Sequence, residues 1–121
     1  MSSAKATFSQ YERLREPSQF KRVFNEGELI KGGIFDFYIL ANGLENSRLG
    51  ISAPKRRQKL ATARNRMKRL IREAFRRRKT EIRTAVDIVA LLKRGVDVKA
   101  KTFEAVDKDI VQALQRRRRN G

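Results

Sequence analysis

The chain contains no cysteine, no histidine and no tryptophan among its 121 residues, only two prolines, and 13 acidic residues against 30 lysines and arginines. Each shortage removes a class of chemistry. Without cysteine there are no disulfides, no thiol nucleophile and no thiolate ligands, and without histidine there is no imidazole base and none of the usual zinc spacings. Covalent or metal chemistry carried by this chain alone is therefore not expected, and a reducing cytoplasm suits it. Nowhere do 18 apolar residues follow one another, and the opening Met1-Ser2-Ser3-Ala4-Lys5-Ala6-Thr7 is polar and precedes no long apolar run. We read a soluble, cytoplasmic protein without an export signal.

What the chain has in excess is positive charge. A net charge of +17 and a pI near 11.4 make a compact body repel itself and attract polyanions from a distance, so nucleic acid is the first partner class. A membrane surface is the weaker alternative, because the apolar helix sides are needed for a core and no Trp anchors exist. The length suits one domain with a modest core of its own.

Residues 1–15 mix polar and basic types without a period and read as an N-terminal arm, followed by a folded body over 16–115 and a basic tail over 116–121. Pro17 suits the first turn of a helix to about Glu26, with Phe20, Val23 and Phe24 as its apolar stripe and Gly27 as a left-handed C-terminal cap. A short piece, Glu28 to Lys31, leads through Gly32-Gly33 into a strand of about Gly33 to Ala41. Alternation sends Phe35, Phe37 and Ile39 to one face and Asp36, Tyr38 and Leu40 to the other. The Asn42-Gly43 signal predicts an antiparallel hairpin with a strand over Ser47 to Ala53, placing Tyr38 beside Gly50 and Ser52 on a shallow open face.

A central helix is expected over about Leu60 to Thr80, and the nearly continuous apolar run Ala85 to Leu92 reads as a strand covered on both sides. Thr102 is the N-cap of a last helix that dissolves into Arg116-Arg117-Arg118-Arg119. The order is αβββαβα, an α+β single-domain sandwich, with all helices on one side of the sheet. A strand–helix–strand crossover over 47–93 is right-handed by the general rule.

The charge is concentrated. Residues 55–79 hold 13 of the 30 Lys and Arg, against the single carboxylate of Glu73. Arg64, Lys68, Arg72 and Arg76 recur every four residues along one flank of the central helix, and Arg66, Arg69 and Arg77 widen the charge. A solvated, ion-paired helix face would need carboxylates. Glu73, in reach of Arg69, Arg76 and Arg77, cannot supply enough, so phosphate is the better-fitting counter-charge. Asn65, between two Arg, has an amide suited to sugar or base edges, though a cap or solvated amide is the ordinary use.

Spacing alone assigns Phe20 and Phe24 to a core, along with Phe35, Phe37, Phe75 and Phe103, and leaves Tyr38 as the better candidate for stacking an unpaired base. Asp36 beside it suggests a hydrated Mg²⁺ only weakly, since a lone solvated carboxylate is the simpler reading. There is no Gly-rich phosphate loop and no paired carboxylates, so no hydrolytic centre is expected.

The run Arg64-Asn65-Arg66-Met67-Lys68-Arg69-Leu70-Ile71-Arg72-Glu73-Ala74-Phe75-Arg76 resembles the signature of the bacterial ribonuclease P protein family. Phe20-Lys21-Arg22-Val23-Phe24 with Gly27, Phe35-Asp36-Phe37-Tyr38, Arg48-Leu49-Gly50-Ile51-Ser52 and Asp87-Ile88-Val89 follow in the family's order, over roughly residues 8–115. The resemblance implies a protein subunit that binds a catalytic RNA and the 5′ leader of precursor tRNA, one to one and as a monomer. In that reading the RNA cleaves the leader with Mg²⁺ and the protein has no catalytic residues and no metal ligands of its own.

It also implies RNA contacts at Lys55, Arg56, Arg64, Asn65, Arg66, Lys68, Arg69 and Arg72, a leader cleft at Phe20, Phe24 and Tyr38, and a four-stranded sheet with a left-handed βαβ crossover. That reverses the core assignment of Phe20 and Phe24. The chain departs from the family pattern at 55–63, where a Gly is missing and one residue is added. A ribosomal or other structural RNA-binding protein is the alternative from composition, and a duplex DNA architectural protein a weaker one.

Overall fold

The computed structural model describes residues 12–120, with side chains through Arg117. Most of the expected arm, residues 1–11, and Gly121 lie outside the described residues.

Helix α1 spans Pro17–Glu26. Pro17 presets φ in the first turn, and the Gln19 side-chain carbonyl accepts the N–H groups of Arg15 and Glu16 at 2.9 and 3.0 Å, tying down the helix entry. The helix stops at Gly27, whose φ of −77° is extended and not the left-handed cap expected. Glycine is needed there for space. A Cβ would stand 2.6 Å from the Val23 carbonyl oxygen and 3.2 Å from that of Ile39.

The strands are β1 (Glu28–Lys31), β2 (Phe35–Ala41), β3 (Arg48–Ser52) and β4 (Val86–Leu92), in the spatial order β1-β2-β4-β3. β1 and β4 flank β2 antiparallel, and β3 runs parallel to β4. The expected β2–β3 hairpin does not form. Asn42-Gly43 does turn the chain, with Gly43 at φ +68°, but the turn crosses the end of β4. Asn42 N–H donates to the Ala85 carbonyl at 3.1 Å, and Val86 N–H donates to Ser47 Oγ at 3.0 Å. β4 takes an inner position because it is apolar on both faces, and there both faces are covered.

Helices α2 (Ala61–Arg78) and α3 (Phe103–Asn120) cover the face that carries Phe35, Phe37, Ile39, Leu49, Ile88 and Ala90, and complete the main core with Met67, Ile71, Phe75, Val106 and Ile110. Fully burying each large side chain contributes roughly 1.5–3 kcal/mol. α1 lies on the other face, where Val23 packs with Leu14 and Val89. Helices therefore stand on both sides of the sheet, against the expectation of one. Val89, buried in the middle strand, gives α1 the apolar seat that this requires.

α2 ends in a 3-10 turn, Lys79–Glu81, close to the expected end of the central helix. At the start of α3, Thr102 Oγ1 accepts the Ala105 N–H at 3.2 Å, as an N-cap should. Asp109 on α3 is buried and accepts the N–H groups of Gly33, Ile34 and Phe35 at 2.6, 3.0 and 2.9 Å, which fixes the β1–β2 turn to the helix. The α3 backbone stays helical to Asn120 instead of dissolving at Arg116. Arg116 itself donates to the Lys31 carbonyl at 2.6 Å, closing one end of edge strand β1.

Candidate nucleic-acid interface

The stripe Met67, Ile71, Ala74 and Phe75 anchors α2 to the sheet, and this fixes where every cation on the helix points. Lys55, Arg56, Asn65 and Arg69 are exposed, and Lys68 and Arg72 are half-buried along the flank facing α1. Arg64 and Arg66 are placed differently. Arg64 Nη1 donates to the carbonyls of Gln58 and Lys59 at 2.9 and 3.0 Å, folding the divergent segment back onto the helix start. Arg66 donates to the carbonyls of Val98 and Lys101 at 2.8 and 2.6 Å, joining α2 to the connection that precedes α3. Both keep further guanidinium N–H groups for an outside acceptor. Nothing in a run of alternating Arg distinguishes these two from Arg69; only tertiary placement does.

Farther along, the cations are matched. Arg76 and Arg77 both bond Glu73, with Arg77 Nε at 2.8 Å, and together they hold its carboxyl down at about 2. Arg69, expected within reach, is not a partner of Glu73. Arg78 grips Asp107 at 2.6 Å and Glu81 at 3.1 Å, so its guanidinium is held well above the ordinary value, chiefly by the Asp107 hydrogen bonds. Arg77 also lies over the Phe103 ring at 4.6 Å. Phe103 is thus half-buried rather than fully in the core, whereas Phe35, Phe37 and Phe75 are sealed there.

The aromatic cleft lies on the α1 face. Cross-strand register places Leu29, Tyr38, Val89 and Gly50 in one row across the sheet. Tyr38 is therefore one strand removed from Gly50, not beside it. Phe24 meets Tyr38 edge-on at 4.8 Å and 79°, an arrangement worth about 0.5–1.5 kcal/mol beyond area burial. Phe20 sits on Gly50, where a Cβ would come within 2.7 Å of its ring. This part of the face is roofed, not open as expected. Phe20, Phe24 and Tyr38 are all partly buried and packed around Val23, Val89 and Leu14, so the structure brings the three together with one side of each still exposed. Asp36, on the same face, meets Lys93 Nζ at 2.9 Å. A carboxylate already compensated by a lysine is a poor fit for Mg²⁺.

A groove of about 210 Å³ joins cleft and helix, lined by Arg13, Arg15, Phe20, Lys68 and Arg72 among others. Leu14 N–H donates to the Leu49 carbonyl at 3.0 Å, which extends the sheet by one bridge and carries Arg13 to Arg72. The Arg72 guanidinium is held below its ordinary value, first by burial and then by the charge of Arg13. Sequence reasoning left Arg13 and Arg15 in a featureless arm; an apolar Leu14 between two arginines was the available signal.

Among the described residues, no helix is long and apolar enough to cross a membrane, and no group of three or more acidic residues is placed to hold a metal. The ribonuclease P family model matches residues 8–118. A ribonuclease P protein component from Thermotoga sp. (strain RQ2) is 41% identical over 101 residues, 84% of this chain and 83% of that protein. One from Nitrosococcus oceani is 38% identical over 90 residues, 74% and 75% of the two chains. The solved ribonuclease P protein of Thermotoga maritima superposes with a TM-score of 0.76 at 34% identity, over 87% of this chain and 96% of that one, and that of Staphylococcus aureus with 0.73 at 28%, over 86% and 93%. This chain therefore belongs to the ribonuclease P protein component family, the protein subunits of the enzyme that processes the 5′ leader of precursor tRNA.

Proposed function

We propose that α2 from its start to Arg72, with the segment before it, is the surface that grips the catalytic RNA and that the α1 cleft takes the single-stranded leader. Exposed Lys55, Arg56, Asn65 and Arg69, with Lys68 and Arg72 on the flank, contact phosphate and sugar, and Arg64 and Arg66 add the guanidinium edges that their carbonyl bonds leave open. Phe20, Phe24 and Tyr38 offer partly exposed rings on which unpaired bases stack, at about 1–3 kcal/mol per base. Mg²⁺ belongs to the RNA, which supplies the reacting groups. The protein binds as a monomer, one per RNA, in the cytoplasm.

The observation that carries this reading is a discontinuity of charge pairing along one helix: among the described residues, its last turn is matched by carboxylates, and Lys68, Arg69 and Arg72 before it are not. An assay of precursor tRNA processing at limiting Mg²⁺, with cognate RNA and with or without the chain, tests it. Faster leader removal is expected with the chain present. Equal rates would refute the assignment of RNA partner and leader together.

A further inference from the structure

A cavity of about 530 Å³ lies beyond the end of α2, between the 3-10 turn, the start of β4 and the last turns of α3. Its size falls within the range that holds a nucleotide-sized ligand. The walls include Ile82, Val111 and Leu114, all partly buried against the main core. Around them stand Arg83 and Gln115, both exposed, and Arg117. Arg117 Nε is buried without a hydrogen-bond partner. Glu81, the carboxylate on this rim, is paired with Arg78 at 3.1 Å.

Aliphatic walls receive the flat face of a ring, an amide can read its edge, and two guanidiniums hold the phosphate joined to it. An unpaired nucleotide presents all three features at once. The cavity opens on the α2–α3 side of the sheet, so it is separate from the aromatic cleft on the α1 side. Its first lining residue, Glu81, stands three positions past the end of α2, so a phosphate backbone following the basic ridge toward Arg78 arrives at it.

We propose that this cavity is a second RNA site, which takes one extruded nucleotide of the structured RNA partner between Ile82, Val111 and Leu114 with its phosphate on Arg83 and Arg117. The proposal rests on the RNA-partner reading above and extends it to a surface outside the ridge and the cleft.

The test uses the full chain with its cognate RNA. Val111→Phe fills the cavity and is expected to weaken RNA binding about tenfold while leaving the salt slope in place. Arg83→Ala, on the surface, is expected to flatten the slope by about 0.7–0.9. A photoreactive probe attached through Gln115→Cys is expected to mark one unpaired nucleotide. Wild-type affinity from both substitutions, or a probe that marks only duplex RNA, the chain's own first residues or nothing, overturns the site. If Val111→Phe fails to fold, Arg83→Ala and the probe decide. Failure of the unmodified chain to bind the RNA would instead overturn the reading on which the site depends.

Discussion

The two halves of α2 each carry four cations and differ in what those cations meet. Over its 18 residues, about 27 Å of helix, the distribution of carboxylates is what changes. Arg76, Arg77, Arg78 and the following Lys79 are bonded to Glu73, Glu81, Asp107 and Glu12. They fasten α2 to its own last turn, to α3 and to the start of the described chain. Lys68 and Arg69 have no carboxylate partner among the described residues, and neighbouring Arg72 faces the like charge of Arg13. A cluster of unmatched cations costs stability through self-repulsion, and a polyanion relieves that cost. Arginine content alone says nothing of this division; the position of four acidic residues decides it.

The strongest way to break the comparison is to strip the unmatched half. Lys68, Arg69 and Arg72 replaced together by Ala should weaken RNA binding by about 10³-fold if each makes one charged phosphate contact, and should lower the salt slope by roughly two to three. Urea unfolding of the same variant should change little, since none of the three has a carboxylate partner among the described residues and Arg72 faces the like charge of Arg13. Affinity and slope equal to the unmodified chain would show that this half is solvated surface.

Arg66 sharpens the comparison, because it stands in the unmatched half yet bonds two backbone carbonyls. Arg66→Ala should lower stability by about 2 kcal/mol, from the loss of two charged donors to the Val98–Lys101 connection, and should weaken RNA binding as well. Arg69→Ala should affect binding alone. Equal unfolding midpoints for the two variants would contradict the division. Next in size is Tyr38→Ala, expected to weaken precursor tRNA by about tenfold relative to mature tRNA. An equal loss for both substrates would remove the leader from the cleft.

Local signals were legible in the sequence and long-range pairing was not. α1 falls on the residues its Pro and Gly punctuation predicts, and Thr102 caps α3 as its position suggests, because these features depend on a few adjacent residues. The hairpin failed because Asn42-Gly43 specifies a turn and not what lies across it. β4 joins the sheet from farther along the chain, and its two-sided apolar pattern already read as a strand covered on both sides. The position of α1 was hidden for the same reason: its stripe of Phe20, Val23 and Phe24 fits either face until Val89 and Gly50 are placed. At the site, the density of charge was legible from the sequence. Which arginines fold back on carbonyls was not: Val98 and Lys101 reach Arg66 only through the completed fold, and Gln58 and Lys59 reach Arg64 only once the segment before α2 turns back on it.

The smallest effect tests the matched half. The Arg76 and Arg77 guanidiniums depress the Glu73 carboxyl from 4.5 to about 2. A depressed folded-state value means that the charged carboxylate stabilises the fold above pH 4.5, and that this contribution is lost as pH falls from about 4.5 through 2. The side chain is about one-third exposed, so solvent screening holds the contribution below about 1 kcal/mol. Glu73→Gln should therefore lower stability slightly at pH 7 and flatten the decline in unfolding free energy between pH 5 and 2. It should also leave Arg77 without its carboxylate, converting part of the matched half into the unmatched kind. The salt slope of RNA binding should then steepen by up to one. An unchanged slope, with the expected change in acid stability, would mean that the RNA surface ends before Arg76.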